Sequence, residues 1–567
     1  MMSAARILDR HRLGIAFLVG MGLGLSFLHF GFFWLAWLVP GLLLVLGAGQ
    51  PGRRVFRVGF YAGLGSWMVS LYWLLLIPMK VHAVAAWFTL SVYLGLFYGG
   101  WCWVCWRCAP SANGQVYQGW RRRALWALFC GVAWTAMEFT VARFWWGFPW
   151  NPLGSSQYKL LPLIQIASVT GVGGISLMVV WVSVAFWNAV SARWPVGVVA
   201  GANGSGTRPA DSPSPRFSPR GKGKTARRKP TNLALELGLP LAALAGVLVF
   251  GYVRLAAPGS PAGHLKIALV QPAIPQSIIW DANERTNRLN KLCELSLAAF
   301  AQHPDLLVWP EAALPPNVLG RTRDTQELIT ALVRTGGVWM VFGGVDTAPR
   351  RDPEGGEYSF NTAFFVDPAG DLIARYFKRH LVVFGEYMPA VRWLPFLKYI
   401  RQTGGGLEAG RRPVAFQMNR PRARMGPLIC YEDVFPRESR EAVDADTDFL
   451  LNLTNNGWFG ASAAQWQHAI CALFRAVENG VPLVRCTNNG LTCWIDARGR
   501  MHDVYFAGSR DIYQAGFKVV EVPLRGSLEK SHRTIFNRYG DFFGWSCAGI
   551  VVACLVWSFR PMRRKRP

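Results

Sequence analysis

The chain has 567 residues, 51% of them hydrophobic, with 26 Trp, 35 Phe and a formal net charge of +27. So apolar and Trp-rich a composition excludes a disordered chain and an ordinary soluble globule, and it points to a bilayer. The positive charge suits nucleic acid, anionic lipid or biased membrane loops, and its position along the chain decides among them.

A membrane-crossing helix needs roughly 20 predominantly apolar residues. Eight stretches qualify in chain order: 13–30, 31–48, 55–78, 82–106, 124–142, 163–192, 233–256 and 541–559. The first two are joined tightly around Gly31 and read as a hairpin. Arg6, Arg10 and Arg12, then Arg53, Arg54 and Arg57, then Arg107 and Arg121 to Arg123 fall on alternate turns of such a bundle. Residues 195–232 and the Arg-rich tail 560–567 fall on the same side, whereas the loops near Lys80 and over 143–162 hold few basic groups. This positive-inside asymmetry puts the N-terminus, 195–232 and the tail in the cytoplasm and 257–540 outside it, and it argues against nucleic-acid binding. The first apolar segment lacks a small-residue cleavage site and reads as a retained helix.

Glu138, on the fifth predicted helix, is costly within a membrane and is expected at the outer interface, near "RFWWGFPW". The run "CWVCWRC" places Cys102, Cys105 and Cys108 among tryptophans with no carboxylate or His beside them, so packed small hydrophobes are expected there and no metal. The outer segment carries Cys293, Cys430, Cys471, Cys486 and Cys493, an odd number that leaves at least one thiol unpaired within the chain.

Residues 195–232 are rich in Gly, Pro, Ser and Arg with no apolar period, the composition of a disordered loop. From 265 the pattern becomes α/β. "LKIALVQPAI", "LLVWPE", "VWMVFGGV", "TAFFVDP", "ARMGPLIC", "DFLLNLTN" and "PLVRCTNNGLTCWID" read as strands, with helices at 281–303, 323–336, 434–445 and 464–480. The chain therefore divides into six membrane helices over 1–194, the basic loop 195–232, a seventh helix 233–256, an α/β domain over 264–525, an eighth helix 541–559 and the tail 560–567.

Three predicted strand ends carry reactive groups: Glu311 after "LLVW", Lys378 after a hairpin and Cys430 in "PLICYED". Sites in layered α/β folds gather at such ends. A free thiol has a pKa near 8.5, so little thiolate exists at neutral pH without a base. If the three meet in one site, Glu311, once desolvated enough for its pKa to rise, can take the proton from Cys430, and Lys378 with the Tyr431 backbone N–H can stabilise the oxyanion formed when sulfur attacks a carbonyl.

"VWPE", "KRHLVVFGE" and "ICYE" in that order resemble the carbon–nitrogen hydrolase (nitrilase) superfamily with its Glu-Lys-Cys triad. Coupled to the membrane helices, and with "GFPWNPLGSSQ", "NLTNNGWFG", "WQH" and "RCTNNGLT", the chain resembles the apolipoprotein N-acyltransferase family over nearly its whole length. Val383 departs from the family's Pro in "HLVPFGE", and the 195–232 insert is longer than usual.

The resemblance implies an extracytoplasmic αββα sandwich on a polytopic helical bundle in the bacterial inner membrane. It implies Glu311, Lys378 and Cys430 as catalytic residues, Glu386 as a support of the site and Glu432 as a residue that positions the nucleophile. A salt-bridge role stays open for either glutamate. Trp280, Trp458 and Phe459 are implied along an acyl-chain path, with a plain core role open for each. The implied activity transfers an acyl chain from a phospholipid through a Cys thioester to the amino group of a diacylglyceryl-cysteine apolipoprotein, by a monomer without cofactor or metal. The alternative is a membrane-tethered amidase or nitrilase hydrolysing a small amide. A Cys–His pair using His380 or His468 is not needed, because the triad already supplies a base. A transporter would want paired intramembrane charges that these spans lack.

Overall fold

The computed structural model describes residues 2–78, 81–193, 233–279, 281–314, 323–349, 357–388 and 406–559, apart from positions 110, 113, 114, 117, 118, 258, 260, 282, 527–529, 531 and 532. The loop 195–232, the tail 560–567 and Trp280 lie outside the described residues.

The N-terminal half is helical: α1 (Met2–Leu25), α2 (Val39–Gly47), α3 (Gly52–Ser70), α4 (Val81–Arg107), α5 (Trp120–Val141), α6 (Val172–Arg193) and α7 (Leu233–Ala256). Five described helices are long and apolar enough to cross a bilayer: α4, α5, α6, α7 and the C-terminal Phe542–Phe559. The stretch 31–48 is not one continuous helix. Gly31 takes φ +95, a 3-10 segment follows over Phe32–Trp37, and α2 has only 9 residues, about 14 Å of rise and half a bilayer. The expected span 163–192 is broken as well. Two single turns, Leu161–Ile164 and Ala167–Thr170, precede α6. Gly171 between them and α6 sits at φ +67, where an added Cβ would lie 2.8 Å from the Phe536 ring.

Side-chain contacts sort the helix ends into two sets. Arg12 donates to the Leu46 carbonyl, Arg107 to the Ser558 carbonyl, and Arg123 pairs with Glu236. These contacts gather the Arg-bearing ends of the helices at one end of the bundle. At the other end Arg143 pairs with Asp541, and the α/β domain docks through Glu478 Oε1, which accepts from Val172 N at 3.1 Å.

The α/β domain holds two six-stranded mixed sheets. The first contains β1 (Gly263–Gln271), β2 (Leu306–Val308), β3 (Trp339–Pro349), β4 (Glu357–Val366) and β5 (Leu372–Phe377). The second contains β6 (Phe416–Asn419), β7 (Arg422–Ile429), β8 (Phe449–Thr454), β9 (Leu483–Thr487), β10 (Cys493–Ile495) and β11 (Met501–His502). A last strand, β12 (Gly516–Leu524), returns to pair antiparallel with β1. The run expected as one strand over 482–496 is thus two antiparallel strands. The turn between them is closed by Thr487 N, which donates to Thr492 Oγ1 at 3.1 Å. In each sheet the central strands are parallel, β1–β2–β3 and β7–β8–β9.

Strand alternation builds the layers, since successive side chains point to opposite faces. Leu265, Ile267 and Leu269 of β1 meet Met425, Leu451 and Leu453 between the sheets. Ala268 and Val270 face Leu289 and Leu292 of α8 (Arg285–Phe300) and Leu332 of α9 (Arg323–Gly336). On the far side Leu428, Leu450 and Leu483 pack under α11 (Ala464–Asn479), in a core continuous with the membrane helices. The domain is an αββα sandwich whose second helical layer is also its seat on the bundle. The helix expected over 434–445 is a 3-10 turn, Cys430–Val434, followed by the short α10, Pro436–Glu441. The C-terminal α12 (Phe542–Phe559) then lies against α5.

Candidate active site

Two parallel-strand ends and one hairpin end converge. Val308 closes β2, and Glu311 follows beside β3. Gly343 is required there, because a Cβ would lie 2.7 Å from Glu311 Cα. Phe377 ends β5 and Lys378 comes next, 1% exposed. Ile429 ends β7, and Cys430 turns sharply at φ +50, a left-handed conformation costly for a residue with a Cβ. The turn is held from both sides. Asn452 Nδ2 donates to the Cys430 carbonyl at 3.0 Å, and Glu432 Oε2 accepts from Ile429 N at 2.7 Å.

Lys378 Nζ lies 3.4 Å from Glu311 Oε1 and 2.8 Å from Glu386 Oε1. Burial alone would lower this ammonium, but Glu386, Glu311 and the Cys430 sulfur outweigh it and hold it above its ordinary value. Burial and the Glu311 charge push the Cys430 thiol up to about 12, against Lys378 and a hydrogen bond from the Thr454 side chain, which favour thiolate. The resting sulfur is therefore a neutral thiol, and nucleophilic attack requires the proton to leave during the reaction. Glu311 Oε2 accepts from Asn455 N at 2.9 Å.

The expected supporting residues fall in distinct places. Glu386 makes the ion pair with Lys378 and accepts from Val382 N at 2.8 Å. Glu432 is fully buried and accepts from Tyr376 Oη at 2.9 Å, Arg379 N at 2.6 Å and His380 N at 3.2 Å. It thereby ties the backbone just after Lys378 to the turn carrying Cys430. Burial pushes its carboxyl up to about 7, against the Ile429 and Arg379 N–H groups, which favour the ionised form. Tyr431 stacks on Trp150 with centroids 6.1 Å apart. Phe459 meets Trp73 of the bundle edge-on at 4.8 Å, and Trp458 is partly buried in the same turn. Glu138 is half-buried, accepting from Trp134 Nε1 at 2.7 Å and Leu153 N at 2.6 Å, and so braces the turn that follows Trp150.

Two histidines are absorbed elsewhere. His380 lies tilted against Phe435 with ring centroids 3.6 Å apart, and burial and the Lys378 charge hold it down to about 4. His468 Nε2 lies 2.7 Å from Asp433 Oδ1 and its Nδ1 lies 2.9 Å from Asn456 Oδ1, while Arg485 pairs with the other Asp433 oxygen. Reading the motifs alone misses this buried Asp433–His468–Arg485 cluster. Its signal is an arginine inside the apolar strand run "PLVRCT". Asn361 is missed too, although it interrupts the apolar run of β4 and bridges Glu311 and Glu386. A cavity of about 600 Å³ opens beside the segment that follows Lys378, lined by Trp145, Trp146, His380, Tyr387 and Leu407.

Residues 266–512 match the carbon–nitrogen hydrolase family, and residues 19–185 match the apolipoprotein N-acyltransferase N-terminal domain. An apolipoprotein N-acyltransferase from Geobacter metallireducens is 32% identical over 558 residues, covering 96% of this chain and 95% of its own. One from Rickettsia prowazekii is 27% identical over 505 residues, covering 86% and 88%. Among solved structures, an amidase from Nesterenkonia sp. is similar at 20% identity and a TM-score of 0.34, covering 50% of this chain and 98% of its own.

Proposed function

This chain belongs to the apolipoprotein N-acyltransferase family, and from that premise we propose that Cys430, Glu311 and Lys378 carry out lipoprotein N-acylation in two half-reactions. In the first, Glu311 accepts the thiol proton as Cys430 Sγ attacks the ester carbonyl of a phospholipid. The S–C bond forms, Lys378 and the Tyr431 N–H stabilise the oxyanion, and the ester C–O bond breaks. The proton passes from Glu311 to the departing glycerol oxygen, so a lysophospholipid leaves and a thioester remains. In the second, the free α-amino group of a diacylglyceryl-cysteine attacks the thioester. The N–C bond forms, the C–S bond breaks, and the amine's proton returns through Glu311 to sulfur. An α-amino pKa of about 7.7–8.0 leaves enough neutral amine for this step.

The observation that carries the reading is the buried Lys378 pinned between two carboxylates beside a cysteine in a strained turn. A neutral thiol with an adjacent base and a fixed cation suits attack on an uncharged ester carbonyl. The aromatic seat of the domain on the bundle supports lipid substrates that arrive laterally. The gathering of arginines at the opposite end supports an inner-membrane topology with eight passes and an outer catalytic domain, in which the 3-10 segment and α2 within 31–48 together form one pass. Tags at residues 215 and 350 then report opposite compartments.

The test is incubation of the purified protein with labelled phospholipid. Mass is expected on Cys430, and the labelled thioester is expected to persist until a diacylated lipopeptide is added. Release of free fatty acid at the same rate without lipopeptide would make the protein a hydrolase.

A further inference from the structure

Asn361 Nδ2 donates to Glu311 Oε1 and to Glu386 Oε1, each at 2.8 Å. Lys378 Nζ reaches the same two oxygens at 3.4 and 2.8 Å. Two carboxylate oxygens are thus bridged twice, once by a cation and once by a neutral amide. The other oxygens of the pair are held by Asn455 N at 2.9 Å and Val382 N at 2.8 Å. Asn361 is 8% exposed, and its own carbonyl accepts from Lys378 N at 2.8 Å, so one residue braces both carboxylates and the backbone that delivers the lysine.

Among the described residues, four charged or titratable side chains meet at this bridge. Lys378 follows β5, Glu386 lies on the loop after it, Glu311 follows β2, and Cys430 sits at the end of β7. His380 is neutral near pH 7, and the Arg379 guanidinium turns away to Glu438 and Glu441 at 2.8 and 2.6 Å. One lysine faces two carboxylates, so the cluster is one positive charge short before the thiol ionises. A second cation would hold Glu311 too firmly to accept a proton. An apolar side chain would leave the two carboxylates to repel each other or take up a proton in advance. An amide N–H pair favours the ionised carboxylate without adding charge.

We propose that Asn361 is a positioning residue that holds the Glu311 and Glu386 carboxylates in fixed register with Lys378 in the resting enzyme. The inference rests on the reading of Glu311 as the base, and the experiment separates the two. Full-length Asn361→Ala and the near-isosteric Asn361→Leu are compared with wild type in detergent. The rate of Cys430 acylation by labelled phospholipid is followed as a single turnover from pH 5 to 9.

Loss of a hydrogen bond to a charged group should move the acidic limb of the rate profile up by about one pH unit in both variants. The phospholipid concentration for half-maximal rate should stay within about twofold, because the amide binds no part of the donor. If lipid acylation is too slow to follow, iodoacetamide alkylation of Cys430 gives the same limb without needing a lipid site. A uniform fall in rate with the acidic limb unmoved would assign Asn361 a packing role and overturn the proposal. Glu311→Gln is the control. A wild-type acidic limb surviving in that variant would show that another group is the base, and would remove the premise rather than the bridge.

Discussion

Gln467 should behave as the tie between the bundle and the catalytic domain, and Gln467→Leu tests it. The amide oxygen accepts from Trp73 Nε1 at 3.0 Å and Trp150 Nε1 at 2.8 Å, and the amide nitrogen donates to the Ser70 carbonyl at 3.0 Å. Both indoles are nearly buried, at 4% and 3% exposure, so leucine of similar volume removes the acceptor of two N–H groups and the donor to the Ser70 and Phe27 carbonyls. Each buried orphan costs about 1–3 kcal/mol, and because an indole can tilt toward another acceptor the expected total is about 3 kcal/mol. Trp150 also lies over Tyr431 and His468, so the same change should slow acylation of Cys430. The assay is a double-mutant cycle with Trp150→Phe, read by denaturant unfolding of the detergent-solubilised protein. Residues sharing one hydrogen bond should couple by about 0.5–3 kcal/mol. Additivity within about 0.5 kcal/mol would refute the tie.

Cys430→Ala should abolish both half-reactions while Cys471→Ala retains substantial transfer, because Cys471 is buried with its thiol pushed up to about 12 and no base assigned to it; labelled-phospholipid transfer measures both. Arg485→Met removes the guanidinium paired with fully buried Asp433 and should cost about 3–5 kcal/mol, and Asp433→Leu added to it should recover part of that loss, as seen by thermal unfolding. His380→Gln should flatten the acid side of the stability curve. Unfolded histidine gains its proton near 6.5 and native His380 only near 4, so wild type loses stability relative to the variant as pH falls through that window. The difference should reach at most about 3 kcal/mol, and a difference that stays constant between pH 7 and 4 would count against a buried neutral His380.

Local chemistry in the sequence determined the apolar spans, the alternation of strands and helices, and the three strand ends that present Glu311, Lys378 and Cys430. Helix 323–336 matches its expected bounds because an amphipathic period is carried by neighbours in the chain. The strand break at 488–492 and the short α2 were less legible, since a turn inside an apolar run leaves the hydrophobic period almost unchanged. Only the tertiary structure decided what holds the reactive groups. Asn361 is 50 residues from Glu311, Glu432 is 56 from Tyr376, and Gln467 is 394 from Trp73. A polar residue in an apolar run signals in sequence only that some partner must exist, because a buried polar group has to be satisfied. Which partner it finds depends on how two sheets and a membrane bundle stack, and that stacking is set by apolar faces with no directional preference of their own.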